Sequence, residues 1–340
     1  MMQVQLGIEG DIPKRSQSAG TYEWWYFDAI DELQDLAITI ILFDGMPMSP
    51  YWLEAMPNAN AEDYRGYAIS LYRNGKKIAG YVHHVNQHDI YMNDNELIIQ
   101  MGDVTMQRTK DHAYKISIDT FFPHSTNSIK GIFSFIPITA NNVNEHKGEG
   151  NHCWRLIAPM CEVQGELSIR QYQDESESLV FSGHGYHDCN SGDDALDADY
   201  DDWYWGRIPL DKHRTLIYYH YPPCSRHAAF SIAFIADSEH GIRQVEDCSI
   251  QLNDVNMTFS VMKITQTIEI SGFISGEPID LKLTNVNTME FGPFYYRYAT
   301  VIQSPQSGST PFHGISEYFN AHRLRSPLVR SMIKTPMQRV

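Results

Sequence analysis

A carboxyl group set among indole and phenol rings is a candidate proton donor, because an acid removed from water holds its proton to higher pH. The run "YEWWYFDAI", residues 22–30, places four consecutive aromatics, Trp24, Trp25, Tyr26 and Phe27, between Glu23 and Asp28. Side chains alternate along an extended strand. Glu23, Trp25 and Phe27 therefore share one face, and Trp24, Tyr26 and Asp28 share the other. Each face joins a carboxyl to a broad aromatic surface. Such an acid can protonate an alkene or polarise a carbonyl, and the indole faces can steady a carbocation. The alternative is that one face is core and each carboxyl caps a turn or pairs with an arginine.

A second group lies in "GHGYHDCNSGDDALDADYDDWYWGR", beginning at Gly183. His187 beside Asp188 suits proton transfer, since an aspartate can fix the imidazole tautomer. It suits metal binding poorly, because neighbours on a strand project to opposite sides. Gly183, Gly185 and Gly192 predict a bent segment, and a hydrogen-bonded turn joining two strands is the alternative reading. Asn190, Trp203, Trp205 and Arg207 join the substrate-binding candidates. "DDALD" (193–197) spells the acidic pattern with which helical terpene synthases hold magnesium, but here it falls between strands. It reads as a solvated loop, with calcium as the lesser alternative, and no metal is expected. In "FGPFYYRYATV" (291–301), Tyr295, Arg297 and Ala299 face one way, and Phe294, Tyr296 and Tyr298 the other. Tyr296 and Arg297 are candidates to bind a substrate carbonyl or carboxylate; Arg297 could equally partner Glu23 or Asp28. Tyr219, in "IYYHY", completes the set.

The elements that must position these residues are strands. "LAITIILF", "GYAISLYR", "YKISIDTFF", "GIFSFIPI", "GELSIRQY", "TLIYYHY", "AAFSIAFIA", "QTIEISGFI" and "PIDLKLTNV" alternate with period two and are rich in Ile, Tyr, Phe and Thr. Helical periodicity is scarce before residue 315. The fold class is all-β, mostly antiparallel and of barrel type, which removes exposed edges. Glu23-Trp24-Trp25-Tyr26 has an echo in Asp202-Trp203-Tyr204-Trp205, which suggests two related units, 1–190 and 191–340. The strands of the second unit run to about 315, and a basic tail follows with Arg323, Arg325, Arg330, Lys334 and Arg339. Pro327 would break or restart a helix there. The tail reads as a short helix packed on an acidic surface; a peripheral membrane contact is the sharper alternative.

The 340 residues carry a net charge of -16, which repels phosphate backbones and argues against a nucleic-acid partner. Five cysteines are scattered without a CxxC pair, as expected of a reducing compartment. No apolar run reads as a secretion signal or a membrane span, so a cytoplasmic protein is expected, with membrane association only through the tail. GxGxxG, GxxxxGK[ST], GxSxG and HExxH are all absent, which leaves nucleotide chemistry and a serine-hydrolase elbow without support.

"TYEWWYFDAI", "GHGYHDCNSG" followed by "WYWGR", and "GPFYYRY" with the later "HGISEYF" together resemble the carotenoid 1,2-hydratase (hydroxyneurosporene synthase) family, whose members are also called AttH-like lipocalin-type proteins. The resemblance spans residues 21 to about 320. It implies two lipocalin-like β-barrel domains with an apolar ligand site at or near their interface, and addition of water to isolated alkenes without a cofactor. Fungal relatives act as pericyclases. The family pattern "YHDHNWG" is here "YHDCNSG", with Cys189 and Ser191 at the changed positions, and His220 stands where the family has an aspartate. His187, Asp188 and Asn190 carry over. These departures point to an altered activity on an apolar polyene or isoprenoid: a cyclase or hydratase, with Glu23, Asp28, His187 or Asp188 as acid. A pericyclase and a non-catalytic carrier of an apolar ligand are the alternatives. The oligomeric state is not legible.

Overall fold

The computed structural model describes residues 2–8, 11–14, 18–121, 127–139, 146–147, 150–170, 176–258, 261–303 and 313–334. Residue 122 and residues 171–172, the ends of two expected strands, and Arg339 lie outside them. The chain forms two large, largely antiparallel sheets, of thirteen and nine strands among the described residues. One exception to antiparallel pairing is Gln3–Leu6, which runs parallel to His152–Arg170. The expected strands are present. A short helix at Pro50–Ala55 was not anticipated, although its signals are readable: Ser49 accepts the Tyr51 N–H at 3.3 Å and proline opens the first turn.

The opening strand, Tyr22–Asp31, is buried at all 10 positions. In the first sheet it pairs with Leu36–Asp44 on one side and with Glu177–Gly192 on the other. Its two faces enter different cores. Trp25, Phe27 and Ala29 pack with Ile38, Ile40 and Leu42 inside the first sheet. Tyr22, Trp24 and Tyr26 pack instead against Trp203, Trp205, Tyr219 and Phe319 of the second sheet. A strand covered on both sides needs apolar residues at odd and even positions alike, which accounts for four consecutive aromatics.

The segment 183–192 is part of the continuous strand Glu177–Gly192 and not a turn; irregular pairing opposite Gly185–Asp188 accompanies its glycines. Gly183 serves close approach: a Cβ there would overlap the Ile30 carbonyl of the paired strand. In the second sheet, Trp203–Pro209 lies between Arg214–Tyr221 and Gly314–Phe319, and Tyr295–Gln303 follows beyond Gly314–Phe319. The tail forms a helix, Pro327–Lys334, with Pro327 as its first residue and Val329 and Ile333 buried. Arg325 is ion-paired with Asp197 of the acidic loop, and Lys334 Nζ lies 2.9 Å from Glu54 Oε1. Among the described residues, no helix is long and apolar enough to cross a membrane.

Buried arginines join these layers. Arg155 pairs with Glu23 on the core side of the opening strand. Arg207 reaches from the second sheet to Asp28, with Nε 2.7 Å from Oδ1, and its Nη1 donates to His184 Nδ1 at 2.6 Å. Arg297 Nη1, also on the second sheet, donates to Thr39 Oγ1 at 2.9 Å and to the Tyr72 hydroxyl. Removing one member of a buried pair leaves the other charge without compensation. Arg207→Met should therefore lower unfolding free energy by about 3–5 kcal/mol in urea denaturation; a loss within about 0.5 kcal/mol, as for an ordinary surface change, would remove the docking role assigned to the pair.

Candidate active site

Between the sheets lies a cavity of about 220 Å³. The first sheet contributes Trp24, Tyr26, Asp188 and Asn190; the second contributes Trp203, Trp205, Tyr219, Arg297 and Glu317. The ring of Trp205 meets Tyr26 and Tyr186 edge-on at 5.3 and 5.2 Å, and Trp203 stacks on Phe319 at 4.3 Å. Lys77 and Glu290 stand on the more open side, 2.5 Å apart.

Asp188 is the carboxyl that the first sheet turns toward this cavity. Its Oδ2 accepts the Trp154 Nε1–H at 2.8 Å and the Tyr186 hydroxyl at 2.7 Å. Its Oδ1 accepts Asn190 Nδ2 at 3.0 Å. Burial pushes this carboxyl up to about 7; the Tyr186 and Trp154 donors oppose the shift, and the charges of Glu317 and Asp28 reinforce it. Two donors occupy Oδ2, so the titrating proton belongs on Oδ1. Asn190 is itself fixed. Its Oδ1 lies 3.1 Å from His152 Nε2, and His152 Nδ1 lies 3.1 Å from the Tyr22 hydroxyl. The amide oxygen requires a donor, so His152 carries its proton on Nε2 and accepts from Tyr22 through Nδ1. Burial pushes His152 down to about 4, which keeps it neutral.

Across the cavity, Glu317 Oε1 accepts Arg297 Nε at 2.9 Å and Nη2 at 2.7 Å. The Tyr26 hydroxyl donates to the same oxygen at 3.2 Å. Arg297 also lies over the rings of Tyr26, Tyr72 and Tyr295, at 5.9, 5.6 and 5.4 Å. Its carboxylate partners are thus Glu317 and, at 3.9 Å, Glu290, rather than Glu23 or Asp28.

Of the residues singled out from sequence, the structure brings Trp24, Tyr26, Asp188, Asn190, Trp203, Trp205, Tyr219 and Arg297 together around the cavity. It places others elsewhere. Glu23 and Trp25 face the first sheet's core. Asp28 and Arg207 form their own ion pair between the sheets. Tyr296 packs in the second sheet's core with Tyr298, where rings stack at 6.1 Å. His187 stacks on Phe27 at 3.9 Å inside the first sheet and donates Nδ1–H to the Tyr26 carbonyl at 3.0 Å. Cys189 faces that core beside Arg155. His220 faces away from the cavity as well, with Nδ1 2.9 Å from Ser231 Oγ. The changes from the family pattern at 189 and 220 therefore fall on faces turned away from Asp188. Sequence reasoning missed Glu317, Tyr186 and Trp154. Glu317 had a signal: it is the lone charge in "HGISEYF", on the face shared by Ile315 and Phe319.

Among the described residues, no group of three or more His, Cys, Asp or Glu is arranged to hold a metal ion. The fold is that of a two-sheet β-barrel protein of the lipocalin-like kind, with an aromatic-lined cavity between the sheets. The carotenoid hydratase family model, CrtC, matches residues 40–340, and the chain belongs to that family. It is 27% identical over 336 residues to a hydroxyneurosporene dehydrogenase of Chlorobaculum tepidum, covering 93% of this chain and 87% of the relative. It is 25% identical over 329 residues to an acyclic carotenoid 1,2-hydratase of Thiocapsa roseopersicina, covering 94% and 74%. The fold is that of a protein described as an AttH from Nitrosomonas europaea, with a TM-score of 0.63 at 15% identity over 92% of this chain and 98% of that one. Kievitone hydratase of Nectria haematococca shares it with a TM-score of 0.51 at 11% identity over 91% and 93%.

The raised Asp188 pKa has a stability consequence. A carboxyl with a folded pKa of about 7 binds its proton more tightly folded than unfolded, so its contribution to stability is present at low pH. That contribution is lost as pH rises from the unfolded value of about 4 to about 7. Asp188→Asn removes this titration. Relative to wild type, the variant should gain stability steadily over that interval in denaturant melts; parallel pH profiles for the two proteins would contradict the shift.

Proposed function

We propose that this chain is a cofactor-independent hydratase that adds water to an isolated alkene at the end of an acyclic, carotenoid-type polyene. The observation that carries the reading is Asp188, a carboxyl that burial pushes up to about 7, on the wall of an aromatic cavity. Membership of a carotenoid hydratase family supports both the reaction type and the substrate class. A cavity of about 220 Å³ is smaller than the 300–1,000 Å³ of sites that enclose a drug-sized ligand. It therefore takes the tip of a long chain and leaves the rest outside.

The steps follow from the groups present. The Asp188 Oδ1–H bond breaks and its proton forms a C–H bond at the less substituted alkene carbon. Positive charge develops at the tertiary carbon, where the faces of Trp24, Trp203, Trp205 and Tyr219 attract it in a site shielded from water. Water then forms the C–O bond and gives up a proton. Cyclisation differs only in the capturing group, a second alkene in place of water, and a carboxylate beside the cavity favours capture by water. Leu328 and Met332, exposed beside Arg330 and Lys334, support a peripheral contact with the lipid that holds so apolar a substrate.

With lycopene in deuterated water, the hydrated product should carry one deuterium on the carbon next to the new carbinol. The rate should fall as pH rises through about 7, since the protonated acid is the active form. Asp188→Asn should lower turnover by about 100-fold or more while lycopene still binds. A product without deuterium would point to a pericyclic path, and bound but unchanged lycopene to a carrier; either result overturns the reading.

A further inference from the structure

The water that completes a hydration needs a group to orient it and a base to take its proton. Glu317 has the means for the second task. Its contacts with Arg297 and Tyr26 all fall on Oε1, and Oε2 has no hydrogen-bond partner among the described residues. Trp205 sits directly opposite Glu317 in the register of neighbouring strands and lines the same cavity. It is 4% exposed, and its Nε1–H has no hydrogen-bond partner among the described residues. The Tyr295 hydroxyl, on the same wall, also has no hydrogen-bond partner among the described residues. A buried donor without an acceptor is costly and calls for an explanation. Here Trp205 lines a cavity beside a carboxylate oxygen without a partner among the described residues, and Asp188 stands on the other sheet.

We propose that Glu317 is the proton acceptor for the adding water, with Trp205 Nε1–H holding the water oxygen. The water forms the C–O bond to the tertiary cation; one of its O–H bonds breaks, and the proton goes to Glu317 Oε2. Glu317 then carries a proton from the water while Asp188 is left ionised, and proton exchange with solvent restores both before the next turnover. The Arg297 pairing holds Oε1 and leaves Oε2 without a partner among the described residues. The assignment rests on the hydratase reading and on Asp188 as donor, and splits the two proton transfers between the two sheets.

The test separates the transfers. In deuterated water, an enzyme that protonates lycopene but cannot complete hydration returns the cation to alkene, and recovered lycopene acquires deuterium. Glu317→Gln should lose about 100-fold in hydration and keep deuterium exchange within a few-fold of wild type. Asp188→Asn should lose both. Glu317→Asp keeps the charge beside Arg297 but withdraws it by one methylene, and should show the same split in milder form if the glutamine variant does not fold. Trp205→Phe should slow hydration more than exchange. Hydration near the wild-type rate in Glu317→Gln or Glu317→Asp would overturn the proposal, as would parallel loss of exchange and hydration in a folded variant that still binds lycopene. Undiminished exchange in Asp188→Asn would instead overturn the donor on which the proposal rests.

Discussion

Two arginines of the second sheet dock onto polar groups of the first, and the cavity depends on that docking. Arg207 ends on Asp28, and Arg297 ends on Thr39 and Tyr72 while holding Glu317. Both guanidiniums are almost fully buried, so neither can be left unpaired without a cost of several kcal/mol. The pairs fix the spacing and rotation of two sheets whose facing surfaces are otherwise aromatic and could slide. A planar fork with five donors suits this task, since it grips a carboxylate in one orientation and reaches hydroxyls beside it.

Once the sheets are fixed, the chemistry of the cavity follows from desolvation. Asp28 and Glu23 each have an arginine within contact, whereas Asp188 has only neutral donors. Three carboxyls in one neighbourhood thus meet different partners, and burial pushes Asp188, the one without a cation, up to about 7. The chain from Tyr22 through His152 to Asn190 holds the Oδ1 side of that acid, the Asn190 oxygen fixes the His152 tautomer, and burial keeps that imidazole neutral. Glu317, by contrast, is held against Arg297. Acid and base roles are set by partners, not by residue type.

The strands were legible because period two and β-branched and aromatic residues agree along the chain, and the alternation correctly sorted Trp24 from Trp25 and Arg297 from Tyr296. The choice of face was not legible. Where both faces of a strand are apolar, alternation separates the residues into two sets without saying which set meets a ligand. Adjacent His187 and Asp188 had to part company on any strand, and only the second sheet, stacked on the Tyr26 side, shows that Asp188 meets the cavity. The arginine partners were hidden for a different reason: Arg155 and Glu23 are 132 residues apart, and Arg207 and Asp28 are 179 apart. Local pattern carries no information on such pairings. Glycines in 183–192 misled because close strand approach and turns demand the same residue.

The central claim is that Asp188 holds its proton far above the ordinary carboxylate range, up to about 7. Infrared difference spectroscopy of wild type against Asp188→Asn, followed across pH, reads that protonation state directly. The account predicts a protonated-carboxyl band, absent from the variant, that disappears with a midpoint near 7. A carboxyl already ionised with an ordinary midpoint near 4 would contradict it.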